Sequence, residues 1–351
     1  MDFLASLKWA EKRAKLFFLY WRRIVFAKNH FHTSLFTKIR ANLSGGFLAD
    51  QWVLYDLDGQ KRRDYLSEFD WYRSRYINEP FDYMLNNKVI ATEVFGRYIR
   101  MPAIYLVKNK GALCGSSDAV WNTDQVLKLI RDKGDTVLKP FSKGQGNGVH
   151  RIAFGSEGFR LDGVPADELA IRRTLDRQQD WYLSEAIAQH SYAVSLYAET
   201  VNTIRIITLR APDEERIKVF FAVQRVGTSR TVPVDNASRG GLVCNIDLDS
   251  GRLSHARTLY ELTVYENHPD SGVRFEDVVI PDWQALKDEI LALANRFPYL
   301  PFVAWDVVKL PDGQNCVIEA NASSGVNIIQ LWGGQRNGEL GDFYRYYHVI
   351  G

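Results

Sequence analysis

PFVAWDVVKLPDGQNCVIEANASSG, residues 301–325, sets two apolar runs on either side of Asp312-Gly313. An Asp-Gly pair between such runs is a strong two-residue hairpin signal. A turn of that length puts Pro311 opposite Gln314, and so Asp306 opposite Glu319. A four-residue loop centred on the same pair gives the same register. Side chains alternate along a strand, so Glu319 and Asn321 share one face, and Asp306 shares its face with Phe302, Ala304 and Val308. Directly opposed carboxylates repel, with Cβ atoms roughly 5 Å apart, unless something neutralises them. Two carboxylates and an amide oxygen on an otherwise apolar face are hard donors suited to Mg²⁺ or Mn²⁺. The plainer alternative, an exposed face with unrelated charges, sits poorly with those apolar neighbours.

Working outward, Asp135 to Pro140 reads as a short apolar strand that carries Lys139 near its end. Ser142-Lys143-Gly144-Gln145-Gly146-Asn147-Gly148 follows, then a returning strand from Val149 to Phe154. Glycine at alternate positions lets backbone N–H groups approach an anion closely. No Gly-Lys-Ser/Thr opens a helix here, and the spacing is not that of a dinucleotide fingerprint. The loop is either a plain hairpin turn or a flap over phosphates, and Lys139 beside it favours the flap.

Strands are also expected at 181–187, 202–209, 216–226, 301–310 and 315–321, with the second and third of these paired. Residues 51–60 read as a strand or turn entering a helical stretch, 80–100 as helical after Pro80, and 167–175 as a short helix. Trp283 to Phe297 is amphipathic, with Leu286, Ile290, Leu293 and Phe297 on one stripe. Hairpins with segregated helices indicate an α+β fold rather than a doubly wound sheet.

Together these residues resemble the ATP-grasp family. The likeness runs from Lys88 through Lys139 and the glycine-rich loop, the strand-end hinge 181–187 with Glu185, and Asp306 with Glu319-x-Asn321. It spans roughly residues 85 to 325. Gln189-His190, the run Val201 to Thr208, and Asn236 with Gly240-Gly241 are similar to the sugar-transfer-associated branch. The resemblance implies two α+β subdomains gripping ATP behind a helical N-terminal region, divided as 1–84, 85–134, 135–188 (the lid) and 189–351. Lys88 and Lys139 would contact phosphates, with Ser142, Gly144, Gly146 and Gly148 in the flap. Backbone groups of Glu185, Ala186 and Ile187 would read adenine, with the Glu185 carboxylate assisting. Asp306, Glu319 and Asn321 would hold Mg²⁺, or Mn²⁺ in its place. Arg205 would neutralise the transferring phosphoryl group, supplemented by Lys218. Many relatives carry an acidic ribose ligand where this chain has Tyr192, which leaves His190 or Ser191 for that role. The implied activity is an ATP-dependent, ADP-forming carboxylate–amine ligase acting on small molecules. A hydroxyl kinase and a non-catalytic nucleotide-binding module are the alternatives.

Composition bounds the rest. The chain has 351 residues, with 44 basic against 42 acidic, which does not suggest a nucleic-acid coat. No apolar run reaches the roughly 18 residues of a membrane span, and no signal-peptide pattern is evident. Cys114, Cys244 and Cys316 lie far apart, so neither a disulfide framework nor a thiolate zinc site is expected, and a reducing, cytoplasmic setting fits. Residues 1–40 differ, with nine Lys or Arg, two acids, and Trp9, Phe17, Phe18, Tyr20, Trp21 and Phe26 among them. This segment either packs on the body, the favoured reading, or lies against a membrane or protein surface. Asp56-Leu57-Asp58 and Asp247-Leu248-Asp249 resemble glycosyltransferase DxD motifs, but both run into glycine and read as turns.

Overall fold

A computed structural model describes residues 3–58, 61–115, 121–141, 148–210 and 216–351. Helices come first: α1 (Phe3–Tyr20), continued by a π turn over Trp21–Val25, then α2 (Leu35–Leu43), α3 (Ala49–Leu54), α4 (Glu68–Ser74), α5 (Asp82–Asn86) and α6 (Lys88–Phe95). Side-chain caps start several of them. Ser34 caps α2, Ser67 and Asp70 form a reciprocal box on α4, and Asn87 accepts from Val89 and Ile90 to start α6. Helix α3 takes the first residues, 51–54, of the 51–60 segment expected to open as a strand or turn, and turn residues follow it. Its cap is local: the Leu48 N–H donates to the Gln51 side chain.

Two antiparallel sheets follow. The first takes β1 (Ile104–Asn109), β2 (Ala112–Gly115), β3 (Asp135–Pro140), β4 (His150–Gly155), β5 (Gly158–Leu161), β6 (Val164–Ala166) and β7 (Trp181–Glu185). Its order is β2-β1-β7-β3-β4-β5-β6. Helices α7 (Thr123–Lys133) and α8 (Glu168–Arg177) cover one face, where Val126, Ile130, Ile171 and Leu175 pack on Leu106, Leu138 and Leu183. Strands from both sides of residue 135 therefore share this sheet, so a division at 134/135 cuts through it. Lys139 and Tyr182, which pair in register, lie on the other face.

After α9 (Ser191–Leu196) comes the second sheet: β8 (Ile204–Arg210), β9 (Ile217–Val226), β10 (Leu242–Ile246), β11 (Leu253–Arg257), and, beyond α10 (Trp283–Asn295), β12 (Phe302–Lys309) and β13 (Asn315–Asn321). The order is β11-β10-β9-β8-β12-β13. The stripe expected on α10 is real: Leu286, Ile290 and Leu293 bury against Val303, Trp305 and Val307. The opposite face is apolar at one end, where Ile207, Leu209, Phe302 and Ala304 meet Leu66, α11 (Val326–Ile329) and α12 (Glu339–Tyr346). At the other end it turns polar, and the candidate site lies there. Asn78 fastens the N-terminal helices to this sheet by donating to the Phe302 and Ala322 carbonyls.

The N-terminal segment departs from the favoured expectation. Phe17, Phe18, Trp21 and Phe26 are exposed, while Tyr20 and Ile24 make the packing contacts. The Trp9 side chain lies outside the described residues.

Candidate active site

The β12–β13 hairpin reaches its register by an indirect route. At the tip, Leu310 pairs with Gln314 across a three-residue loop in which Gly313 has φ +84°. That loop alone would set Asp306 opposite Ile318. A bulge between Asp306 and Val307 offsets the difference, and Asp306 pairs with Glu319 as expected, with Ala304 opposite Asn321. On its other side Asp306 is in register with Arg205 of β8. One row thus crosses three strands: Arg205, Asp306, Glu319.

The opposed carboxylates are each neutralised. Arg205 grips Asp306 with two hydrogen bonds, 2.7 Å from Nε and 2.8 Å from Nη2. Arg225 on β9 adds a contact at 3.4 Å and donates to Asp235 at 2.7 Å. Asp235 also accepts from the Thr203 N–H and hydroxyl. Burial pushes the Asp306 carboxyl up, but the charge and hydrogen bonds of Arg205, with Arg225 and Lys88, outweigh it and hold the group below the usual range. Glu319 is paired by the ammonium of Lys88, the first residue of α6. Lys139 faces the same pair from the first sheet. Burial lowers its pKa, Glu319 opposes that, and Lys88 adds to it. Lys139 makes no ion pair with a described residue, so its amine is open to a ligand, whose negative charge would favour the protonated form.

Lys88, Lys139, Arg205 and Arg225 therefore surround Asp235, Asp306 and Glu319, four cations to three carboxylates. An excess of basic side chains favours an anionic occupant. The donor chemistry also suits a divalent cation. Glu319 already holds a cation, Asn321 donates weakly to the Ala304 carbonyl at 3.5 Å, and its Oδ1 accepts from no described residue. Among the described residues no three His, Cys, Asp or Glu side chains cluster as a metal site, so an ion here would need the Asn321 oxygen and its ligand's own oxygens.

The sequence matches the family model described as sugar-transfer associated ATP-grasp over residues 69–337. The chain belongs to that family. Several solved structures are similar at low identity. A D-Ala:D-Ser ligase, VanG from Enterococcus faecalis, is 12% identical, with 76% of this chain covering 62% of that one at a TM-score of 0.43. The ligase PsnB, solved with a minimal precursor, Mg and ADP, is 13% identical over 71% of this chain and 53% of its own, at 0.35. The macrocyclase MdnC from Microcystis aeruginosa, bound to a precursor peptide, is 11% identical over 76% and 60%, at 0.38. The chain spans between half and two thirds of the length of these structures. No protein of curated function matches it.

Within this ATP-grasp chain the expected residues fall into three groups. Lys88, Lys139, Arg205, Asp306, Glu319 and Asn321 converge. Lys218 does not: it pairs with Leu209 near the far end of β8 and bridges to Glu339 of α12 at 3.0 Å. Strand alternation places Lys218 and Arg205 on neighbouring strands but is silent on the distance along them. Arg225, which the sequence reading missed, takes the nearby position. Ser142, Gly144 and Gly146 lie outside the described residues, while the carbonyl of Gly148, with φ +76°, accepts from the Gln178 side-chain amide.

At the hinge, the Glu185 carboxylate is engaged by Arg100 at 2.5 Å and by the Ala103 N–H. These contacts fix the strand end, and Ala186 and Ile187 follow it as partly exposed residues. His190 caps α9, its Nδ1 accepting from the Tyr192 N–H at 3.2 Å. Tyr192 donates inward to Gln224 at 3.0 Å. Gln189 and Asn202, prominent in the sequence, stitch the 193–200 segment through hydrogen bonds to Tyr197, Thr200 and Ala193. Asn236 caps the turn that leads to Gly240-Gly241, next to Asp235. The DxD sequences are turns: Asp56 has φ +50°, and Asp247 accepts from Ser250.

Proposed function

We propose that this chain is an ATP-dependent, ADP-forming carboxylate–amine ligase acting on small molecules through an acyl phosphate. The row Arg205–Asp306–Glu319 with Lys88 and Lys139 above it carries the reading. Phosphoryl transfer asks a protein chiefly for position and charge neutralisation, which fixed cations supply without rearranging. Lys88 and Lys139 hold phosphate oxygens from the helix start and from the lid sheet. Arg205 meets the charge on the transferring group, and its bond to Asp306 keeps the guanidinium from swinging away. Arg225 and Asp235 brace Asp306 from behind. Mg²⁺ held by Glu319 and Asn321, with the Asp306 charge beside them, would draw charge from the phosphates.

In the first step an oxygen of the acid substrate attacks the γ-phosphorus and ADP leaves. In the second the amine nitrogen attacks the acyl carbon, phosphate leaves and the amine loses a proton. No protein side chain acts as a covalent nucleophile. ADP release with Mg²⁺, scanned over amino acids, peptides and amino sugars with mass spectrometry of products, tests this. A product equal to acid plus amine less water supports the ligase, and a phosphorylated hydroxyl as sole product refutes it.

A further inference from the structure

Apart from that site, a cleft of about 710 Å³ opens beside α2 and the 62–73 segment. Arg40, Arg62, Arg63, Arg73 and Arg336 line it, and among the described residues the one lining acid is Asp70. Asp70 is already held by Arg73 and Arg336, so the cleft's charge is strongly positive. Arg40 is partly compensated by Asp58 outside the lining; among the described residues Arg63 has no ion pair and Arg62 reaches the Ser44 hydroxyl alone.

The rim is apolar. Phe36, Ile39 and Leu43 recur at helical spacing on α2 and form the kind of stripe that ordinarily packs inward. Here it faces outward, with Phe36 74% and Leu43 80% exposed, while Ala41 and Asn42 are the buried residues of this helix. The neighbouring α1 and π turn expose Phe17, Phe18, Trp21 and Phe26 as well, and Lys38 of α2 donates to the Ala27 carbonyl, which ties the two segments together. Exposed aromatics and aliphatics around a basic cleft mark an interaction surface. An acidic peptide or free phosphate would use the arginines but leave the projecting side chains in water. A bilayer with anionic headgroups satisfies both: phosphates meet the arginines and the rim enters the acyl boundary.

We propose that this face seats on an anionic phospholipid bilayer, with the cleft holding headgroup phosphate. Its residues are separate from those of the proposed ligase site, so the two readings stand or fall independently. The full chain is sedimented with phosphatidylcholine vesicles with and without phosphatidylglycerol, at low and high salt. Binding is expected only with phosphatidylglycerol and weakens with salt. Arg62→Ala with Arg63→Ala should weaken it about 30-fold, from about 5-fold per basic residue. Phe36→Ser with Leu43→Ser should weaken it at least about 10-fold without changing the melting temperature, since both residues are exposed. Absence of binding, equal binding to phosphatidylcholine alone, or indifference to the Phe36 and Leu43 changes overturns the proposal. So does displacement by inorganic phosphate equal to the loss in the arginine variant, which would make the cleft a soluble-anion site.

Discussion

Replacing Asp306 by Asn removes the charge at the centre of the row while keeping its shape. The side chain is 4% exposed, and its partners Arg205 and Arg225 are 16% and 10% exposed. Removing one member of such a buried pair typically costs about 3–5 kcal/mol, because the other charge is left without compensation. Arg225 keeps Asp235 at 2.7 Å, so Arg205 alone loses its partner. That places the expected loss at the lower end, about 3 kcal/mol. Lys218→Met is the control: its half-exposed bridge to Glu339 is worth about 0–1 kcal/mol. Urea unfolding at pH 7 of Asp306→Asn, Arg205→Met and the double variant measures both the loss and its coupling. The double variant should lose less than the two singles combined. The pH dependence carries the same signature. Because the folded-state pKa of Asp306 is lowered, its stabilisation is present above the unfolded value and lost as pH falls toward the folded one. Asp306→Asn should therefore lack that contribution to the acid limb below about pH 4. Additive losses, or a loss under about 1 kcal/mol, would refute the buried-pair account.

Glu319→Gln should abolish ATP turnover yet cost at most about 1 kcal/mol in a thermal melt, since its pair with Lys88 is partly exposed; full activity at ordinary Mg²⁺ would sink the metal assignment. Glu68 is buried, which raises its carboxyl to about 7 against the opposing charge of Arg75. A raised acid binds its proton more tightly when folded, so stability should fall as pH rises from about 4.5 to 7, by roughly 3 kcal/mol. Glu68→Gln should flatten that window in pH-resolved urea unfolding, and an unchanged slope would contradict it. A Cβ at Gly241 would meet the Asp235 carbonyl at 2.5 Å, a backbone atom that cannot turn aside. Gly241→Ala should cost about 1–3 kcal/mol in melting and shift the Asp235 anchor of Arg225; a variant with native stability would show that the loop yields freely.

Much of the second sheet was legible because strand alternation and an Asp-Gly turn are local signals. The Asp306–Glu319 register was right although the turn was not two residues long. The three-residue loop and the bulge shift the pairing in opposite senses, and neither could be read from the residues. Arg225 was missed because its role depends on tertiary placement: it sits two residues beyond the register partner of Arg205 on β9 and points at Asp306 and Asp235. Lys218 was misplaced for the converse reason, being on the right strand but toward its other end. Gln189, Asn202 and Asn236 stood out in the sequence, and the structure gives them hydrogen-bonding tasks in loops that shape the site. The burial expected for Phe17 and Trp21 failed because mixed basic and aromatic residues fit a packed helix and a surface helix equally well.

Calorimetric titration with a non-hydrolysable ATP analogue, with and without Mg²⁺, tests the central claim most directly. The account predicts Mg²⁺-dependent binding to the full chain that weakens by at least about tenfold in Lys139→Met, the loss of one desolvated charge-assisted contact. It also predicts that Lys218→Met binds as the wild type does. Binding that ignores Mg²⁺ and Lys139, or no binding at all, would contradict it.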